Sequence, residues 1–216
     1  MPEVKYSFFN WGPFLFKSTI SDEFQKLILS EGAKVRGKES ESYVSRLAGH
    51  LKEEYKLPAA RIMEQLKHYL EAYCIGYNRW RGDGGMKPNA SLLSLWINYM
   101  KAGDFNPPHD HSGDLSFVIF PKIPKELIEE NKNFTGTLQG PGGISFIWGD
   151  TVGHMAISMV HQMPAEKDIF IFPAGLKHWV FPFRSNVTRI SVSGNILFEG
   201  QDSRVNYFEG GTKDGG

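Results

Sequence analysis

From residue 91 onward, the sequence is a succession of short runs rich in aromatic and β-branched residues, separated by turns containing Gly, Pro, Asn and Asp. The runs cover residues 92–101, 115–120, 134–138, 144–148, 155–160, 169–173, 178–183 and 188–198. About eight strands at this regular spacing predict a jelly roll or a barrel-like β sandwich. This pattern limits the chain to a β-rich core, whatever surrounds it.

The first third of the chain has helical periodicity instead. Capping candidates Thr19 and Ser21 precede a helix predicted over 19–35, apolar spacing predicts a second helix over 44–55, and Pro58 can begin a third. Lys125 and its acidic neighbours predict a helical turn within 121–133. The expected class is therefore α+β, a jelly roll with N-terminal helices packed on one face.

This organisation predicts one domain over residues 1–207. Residues 1–90 would form a mainly helical support and residues 91–200 the jelly-roll core, with a flexible tail over 208–216. The helical third offers a surface through which two copies could pair as a homodimer.

Composition excludes several functional classes. Lys plus Arg and Asp plus Glu number 24 each, so no net basic field favours nucleic acid. Cys74 is the only cysteine, which excludes an intrachain disulfide and a cysteine-based zinc cluster and fits a reducing, cytoplasmic location. The N-terminus does not resemble a signal peptide, and no apolar stretch approaches the roughly 18 residues of a membrane helix.

The segment that indicates chemistry is Gly103 to Asp114, which contains His109 and His111 at the mouth of a predicted strand. Residues at i and i+2 of a strand point to the same side, and neutral imidazole is a common metal ligand. A third ligand should come from a distant strand, and His178 follows a tight Pro-Ala-Gly turn. Three ligands would leave open positions for catalysis. The simpler interpretation is a chance pair in a chain with seven histidines.

Arg189 and Ser191 lie eleven and thirteen residues after His178. At i and i+2 they share one face of a strand, so both can face the same cavity as His178. A buried guanidinium needs an anion and suits a carboxylate, to which a serine hydroxyl adds one hydrogen bond. The pair therefore predicts a site for a dicarboxylate co-substrate; the alternative is a surface ion pair with a protein carboxylate.

In this order of motifs, the sequence resembles the 2-oxoglutarate/Fe(II)-dependent oxygenases. The segments WINYMKAGDFNPPHDHSGDLSFVIF and FPAGLKHWVFPFRSNVTRISVSGN are similar to those of the oxygenases of tailed phages of marine bacteria, the cyanophage type. The resemblance implies a double-stranded β-helix that holds Fe(II) and binds 2-oxoglutarate and O2. It also implies that Asn98 and Tyr99, on the strand before the first ligand, help to hold the co-substrate.

The sequence departs from the pattern of these oxygenases at one ligand. They usually supply His-x-Asp or His-x-Glu, whereas this chain has His109-x-His111. Either His111 replaces the carboxylate, or Asp114 or Asp110 supplies the oxygen ligand and His111 lies outside the metal's ligand set. In a regular strand Asp110 would point away from His109, which favours His111.

The resemblance implies a dioxygenase that hydroxylates a protein side chain, as prolyl hydroxylases do, or a small molecule. If the chain is encoded by a phage, its location would be the host cytoplasm. Two alternatives remain. A cupin would explain the histidines without 2-oxoglutarate, and a non-catalytic β-sandwich module would bind a partner through exposed aromatic residues and hold no metal.

Overall fold

The computed structural model describes residues 12–46, 51–82, 85–137, 140–149 and 158–199. In this part of the chain it contains ten strands and three α-helices. The strands are β1 (Phe16–Thr19), β2 (Glu54–Lys56), β3 (Ala90–Met100), β4 (Asn106–His109), β5 (Leu115–Lys122), β6 (Ile144–Ile147), β7 (Met159–Gln162), β8 (Asp168–Pro173), β9 (Lys177–Val180) and β10 (Arg189–Phe198). The helices are α1 (Asp22–Val35), α2 (Ala59–Arg81) and α3 (Lys125–Lys132).

The strands form two antiparallel sheets. The larger sheet has the order β1-β8-β5-β10-β3-β2, and the smaller has the order β4-β9-β6-β7. A buried cluster joins them, with Phe120 and Phe170 from the larger sheet and Ile144, Phe146 and Val180 from the smaller. Alternation along each strand directs these side chains into the space between the sheets. The predicted double-stranded β-helix is confirmed.

Helices α1 and α2 cover the outer face of the larger sheet. The apolar stripe of α1 includes Phe24 and Ile28, and that of α2 includes Ile62 and Leu66; both pack in one cluster with outward-facing sheet residues such as Val192. Helix α1 begins where the Ser21 hydroxyl accepts a 3.1 Å hydrogen bond from the backbone N–H of Phe24. The prediction of helices packed on one face is therefore confirmed, and the opposite face of the sheet stays free to line a site.

The prediction of a helix over 44–55 is wrong where the chain is described. Val44–Arg46 forms a short 3-10 helix and Glu54–Lys56 forms β2, while residues 47–50 lie outside the described part. The apolar spacing fits a helix, but the edge of β3 offers hydrogen-bond partners that this segment uses instead. Strand pairing of this kind depends on residues distant in the chain, which local periodicity does not include.

Other boundaries also differ from the predictions. Residues 134–137 form no strand, and residue 138 lies outside the described part. Of the predicted strand over 155–160, residues 155–157 lie outside the described part, residue 158 is not in a strand, and 159 and 160 belong to β7. Strand β4 was not predicted because it contains Pro107 and Pro108. Among the described strands it pairs only with β9 and so lies at the edge of its sheet, which is where proline is tolerated.

Two further predictions concern the ends of the chain and the membrane. The predicted tail over 208–216 lies outside the described residues. In the described part of the chain, none of the helices is both long enough and apolar enough to cross a membrane.

Candidate metal centre

Three histidines meet between the two sheets. His109 ends β4 and lies directly opposite His178 of β9 in the strand register, while His111 follows in the next turn. The ring centroids of His109 and His178 are 4.3 Å apart, those of His109 and His111 are 4.9 Å apart, and those of His111 and His178 are 5.1 Å apart. One ligand nitrogen of each ring lies within 4.8 Å of the other two, a spacing that allows all three to hold one metal ion.

Backbone hydrogen bonds fix the two loops that carry the rings. The N–H of His111 donates to the carbonyl of Ala174 at 2.9 Å, and the N–H of Ala174 donates to the carbonyl of Asp114 at 3.0 Å. The turn before His178 is closed by a bond of 2.9 Å from the N–H of Leu176 to the carbonyl of Pro173. The loop after β4 and the turn before β9 are thus held against each other without help from a metal.

Two of the rings are also oriented by carbonyl groups. His109 Nδ1 lies 2.6 Å from the carbonyl oxygen of Pro107, and His178 Nδ1 lies 3.0 Å from that of Leu176. A ring that donates from Nδ1 carries no hydrogen on Nε2, which leaves that nitrogen free as a ligand. The backbone therefore selects the tautomer that a metal requires.

The imidazoles are neutral at physiological pH. Burial, and after it the neighbouring His109 ring, lower the pKa of His178 to about 3 and that of His111 to about 4. Burial also lowers the pKa of His109. Because a metal competes with protons for these nitrogens, three neutral rings are ready to bind it.

The two alternative carboxylate ligands lie outside this group. Asp114 Oδ2 accepts a 2.7 Å hydrogen bond from the N–H of Phe198, at the end of β10. Asp110 is exposed. Among the described residues, the group that could hold a metal contains His109, His111 and His178 and no carboxylate.

A buried cation lies on the larger sheet next to the histidines. Arg189, at the start of β10, is 2% exposed. Its Nη1 donates a 2.9 Å hydrogen bond to the carbonyl of Gly142, and its guanidinium lies 5.3 Å from the centre of the Phe120 ring. Its Nε has no hydrogen-bond partner, and no carboxylate pairs with it within the described chain. Burial lowers the pKa of Arg189 to about 10, which leaves it charged at neutral pH.

Ser191 and Asn98 continue this polar face. They lie opposite each other on β10 and β3, and the Asn98 Nδ2 donates to Ser191 Oγ at 3.3 Å. Both are buried, and the Asn98 Oδ1 has no hydrogen-bond partner in the described structure. The surface ion pair considered for Arg189 is therefore wrong, because the guanidinium faces an interior polar row.

One cavity connects the histidines with this row. Its lining consists of Leu51, Trp96, Asn98, Met100, Asn106, His109, His111, Val118, Ile144, His178, Val180, Arg189, Ser191 and Ser193. No Asp or Glu is among these residues, so the cavity combines neutral metal-ligating rings with an uncompensated positive charge. Such a lining favours a metal cation together with an anion of at least two negative charges.

Residues 94–195 match the family model described as putative 2OG-Fe(II) oxygenase. The matched segment contains the three histidines, Arg189, Ser191 and Asn98, and so includes all the polar residues that line the cavity. No curated protein sequence matches the chain. The family match supports an oxidoreductase that uses Fe(II) and 2-oxoglutarate.

Solved oxygenase structures share the fold. A prolyl-4-hydroxylase from Pseudomonas putida is 14% identical with a TM-score of 0.54, covering 86% of this chain and 93% of its own. HygX from Streptomyces hygroscopicus, solved with nickel, 2-oxoglutarate and hygromycin B, is 8% identical with a TM-score of 0.54, covering 88% and 84%. A prolyl hydroxylase from Trichoplax adhaerens, in complex with a hypoxia-inducible-factor peptide, is 10% identical with a TM-score of 0.52, covering 87% and 84%.

Tyr99, which was expected to help hold the co-substrate, does not line the cavity. The Tyr99 ring lies on the helix-covered face of β3, 6.1 Å from the Tyr55 ring and 4.2 Å from the guanidinium of Arg36. Successive residues of a strand point to opposite faces, so Tyr99 faces away when Asn98 faces the cavity. Asn98 therefore lines the cavity and Tyr99 does not.

Sequence reasoning did not single out several residues of the site. Trp96 lies two residues before Asn98, a spacing that could have identified it, and its ring is 5.6 Å from that of His111. Leu51 and the Gly142 carbonyl come from connecting segments that carry no recognisable signal. Their positions depend on how distant parts of the chain pack together.

Proposed function

We propose that the protein is an Fe(II)- and 2-oxoglutarate-dependent dioxygenase in which His109, His111 and His178 hold the iron. The observation that carries this function is the combination of three convergent neutral imidazoles with a buried guanidinium that lacks an anionic partner in the described chain. A buried cation with neither an ion pair nor a full set of hydrogen bonds is costly, and a bound carboxylate would offset that cost.

The described residues fit this assignment in detail. The Arg189 fork can bind the carboxylate of 2-oxoglutarate that lies farther from the metal, and the Ser191 hydroxyl and Asn98 amide can donate to the same molecule. Fe(II) and Arg189 together carry about three positive charges, and a 2-oxoglutarate dianion would cancel most of them. The apolar side chains of Leu51, Met100 and Val118 limit water in the cavity.

When bound, iron supplies the oxygen chemistry: O2 is reduced by four electrons, two from the oxidation of 2-oxoglutarate to succinate and CO2 and two from the substrate. The protein's contribution is to hold the ligands and exclude water. The carbonyls of Pro107 and Leu176 keep His109 and His178 in the tautomer with a free Nε2. The same backbone contacts limit rotation of the rings, which keeps the ligand nitrogens together before the metal arrives.

The prime substrate belongs to one of two classes in this proposal, a protein side chain or a small molecule. Tyr99 lies ten residues before His109, a spacing that resembles that of a tyrosine in prolyl hydroxylases. The Tyr99 ring lies on the helix-covered face of β3, so this spacing does not support a prolyl substrate. Among the solved structures that share the fold, one holds a peptide and another holds hygromycin B. The metal-binding histidines and Arg189 support the oxygenase reaction itself. Activity assays against both substrate classes would decide between them.

The two alternative functions account for less of the structure. A cupin needs a metal site but gives no role to the buried Arg189. A non-catalytic β-sandwich module gives no role to the three neutral histidines.

We also propose, on the sequence arguments alone, a single domain over 1–207, a homodimer, a cytoplasmic location and closeness to the phage-type oxygenases.

An anaerobic titration of Fe(II) and then 2-oxoglutarate tests the proposed function. Chelation of Fe(II) by 2-oxoglutarate should give a weak visible charge-transfer band, and its absence would contradict the oxygenase. Arg189→Ala should lower 2-oxoglutarate affinity by about 100-fold, as expected for a buried charged hydrogen bond, while metal affinity is unchanged. Arg189→Met fills the same space without charge, and Arg184→Ala removes an exposed arginine five residues away as the control. Undiminished 2-oxoglutarate binding by both Arg189 variants would favour the cupin.

A further inference from the structure

The short edge strand β2 brings an acidic residue next to the proposed co-substrate site. Glu54 lies directly opposite Asn98 in the register between β2 and β3. The N–H of Tyr99 donates to the carbonyl of Glu53, and the N–H of Leu57 donates to the carbonyl of Leu95. Glu54 and Asn98 therefore form the pair between the hydrogen-bonded ones, in which side chains approach most closely, with Cβ atoms roughly 4.5–5.5 Å apart.

The polar atoms of this pair lack partners. Glu54 is 1% exposed, and neither of its carboxyl oxygens has a hydrogen-bond partner in the described structure. The Asn98 Oδ1 also has none, while its Nδ2 donates to Ser191 Oγ. An acceptor and a carboxyl group thus face the same space, and a carboxyl group can donate only when it is protonated.

Glu54 has the protonation state that such a bond requires. Burial, and then the negative charge of the nearby Asp104, raise the pKa of Glu54 to about 8. The buried carboxylate of Asp104 is itself engaged, since its Oδ2 accepts a 2.9 Å hydrogen bond from the N–H of Lys101. At neutral pH, Glu54 is a neutral acid with one O–H to donate.

We propose that Glu54 is a positioning residue whose protonated carboxyl donates a hydrogen bond to Asn98 Oδ1 and so fixes the orientation of the Asn98 amide. An amide can rotate by half a turn and exchange its oxygen and nitrogen. With Oδ1 held by Glu54, Nδ2 faces Ser191 and the cavity, where an anion needs donors. With the amide reversed, Oδ1 would face the anion and repel it. This inference rests on the proposed function, because the anion is 2-oxoglutarate.

Two substitutions of Glu54 separate the hydrogen bond from simple packing. Glu54→Leu has similar size and no donor, and we expect 2-oxoglutarate affinity to fall about tenfold, equivalent to about 1.4 kcal/mol, in calorimetry on the Ni(II)-loaded protein. Glu54→Gln keeps a donor and should stay within about threefold of the native affinity. Ni(II) affinity should be the same in all three proteins. A Glu54→Leu protein that binds 2-oxoglutarate like the native one would overturn the proposal.

A double-mutant cycle tests whether Glu54 acts through Asn98. In an Asn98→Ala background the amide is gone, so adding Glu54→Leu should weaken 2-oxoglutarate binding by less than about twofold. A further tenfold loss in that background would show that Glu54 acts independently of Asn98, which is contrary to the proposal.

A measurement without metal or co-substrate separates this inference from the proposed function. In protein labelled with 15N-asparagine, the Asn98 side-chain amide signal can be assigned by its loss in Asn98→Ala. We expect this signal to move in Glu54→Leu and to stay close to its native position in Glu54→Gln. If the native protein fails to bind 2-oxoglutarate, the proposed function fails while the amide signal still reports the Glu54–Asn98 bond. An amide signal that is unchanged in Glu54→Leu would refute the bond itself.

Discussion

At the scale of single residues, the site is defined by what its charged and polar groups lack. The His109, His111 and His178 rings are neutral because burial lowers their pKa values, and Arg189 is a buried cation without a carboxylate partner in the described chain. Each condition is unfavourable in an empty cavity and becomes favourable when a metal and an anion bind. These missing binding partners therefore indicate the ligands more directly than the shape of the cavity does.

The identity of the third ligand can be tested at His111. We expect His111→Ala to lower Fe(II) affinity by at least about 100-fold, since two imidazoles alone hold the ion poorly. His111→Asp should retain Fe(II) because two histidines and one carboxylate form a common iron site. Anaerobic equilibrium dialysis of the three proteins gives the affinities. Native affinity in His111→Ala would mean that a nearby carboxylate is the ligand.

The two neighbouring aspartates provide the matching test. Asp114→Ala should leave Fe(II) affinity unchanged and lower the free energy of unfolding by about 1–3 kcal/mol, because the N–H of Phe198 loses its acceptor. Asp110→Ala removes an exposed carboxylate and should change neither quantity beyond about 0.5 kcal/mol. Urea denaturation and the same dialysis measure both. A metal affinity that falls in Asp114→Ala would return Asp114 to the ligand set.

At the scale of secondary-structure elements, β2 buries a carboxyl group, and this group lowers the stability of the fold at neutral pH. It inserts Glu54 beside Asn98 with no cation to pair with it among the described residues. Well below pH 4.5 the carboxyl is protonated in both folded and unfolded chains, so its ionisation does not affect stability. As pH rises from 4.5 to about 8, only the unfolded chain releases the proton, and the folded state loses stability.

Glu54→Gln should remove this pH dependence. We expect the variant to match the native free energy of unfolding near pH 4.5 and to exceed it by up to about 3 kcal/mol at pH 7. Glu64→Gln, at an exposed position of α2, should show no such trend. Urea denaturation of the metal-free proteins between pH 4.5 and 8 measures the difference. A gap between Glu54→Gln and native protein that stays constant with pH would contradict a neutral Glu54.

The elements also show which parts of the site a sequence can predict. His109, His111 and His178 were found because their spacing and turn chemistry are local properties, and the Arg189–Ser191 pair because alternation along a strand is fixed. The same alternation could have excluded either Asn98 or Tyr99, since neighbours on a strand cannot share a face. Glu54 could not be found, because residues 44–55 have helical spacing and Glu54–Lys56 forms a strand only by pairing with β3.

At the scale of the whole molecule, the site lies where the two sheets meet. The smaller sheet supplies His109 and His178, and the larger sheet supplies Arg189, Ser191 and Asn98. The order of the strands in each sheet is what places these groups together, although up to about ninety residues separate them in the sequence. A ligand that contacts both the metal and Arg189 therefore connects the two sheets in addition to filling a cavity.

Binding should accordingly stabilise the whole fold and not a single loop. At concentrations near 100 times its dissociation constant, 2-oxoglutarate added to the metal-loaded protein should contribute about 2.7 kcal/mol. For a chain of this size, that corresponds to a rise in melting temperature of roughly 5–10 °C in differential scanning calorimetry. The His178→Ala protein should show a much smaller rise because it lacks a ligand of the metal, and Arg189→Ala because it lacks the proposed carboxylate site. An equal rise in all three proteins would place 2-oxoglutarate elsewhere on the molecule and separate the anion from the metal centre.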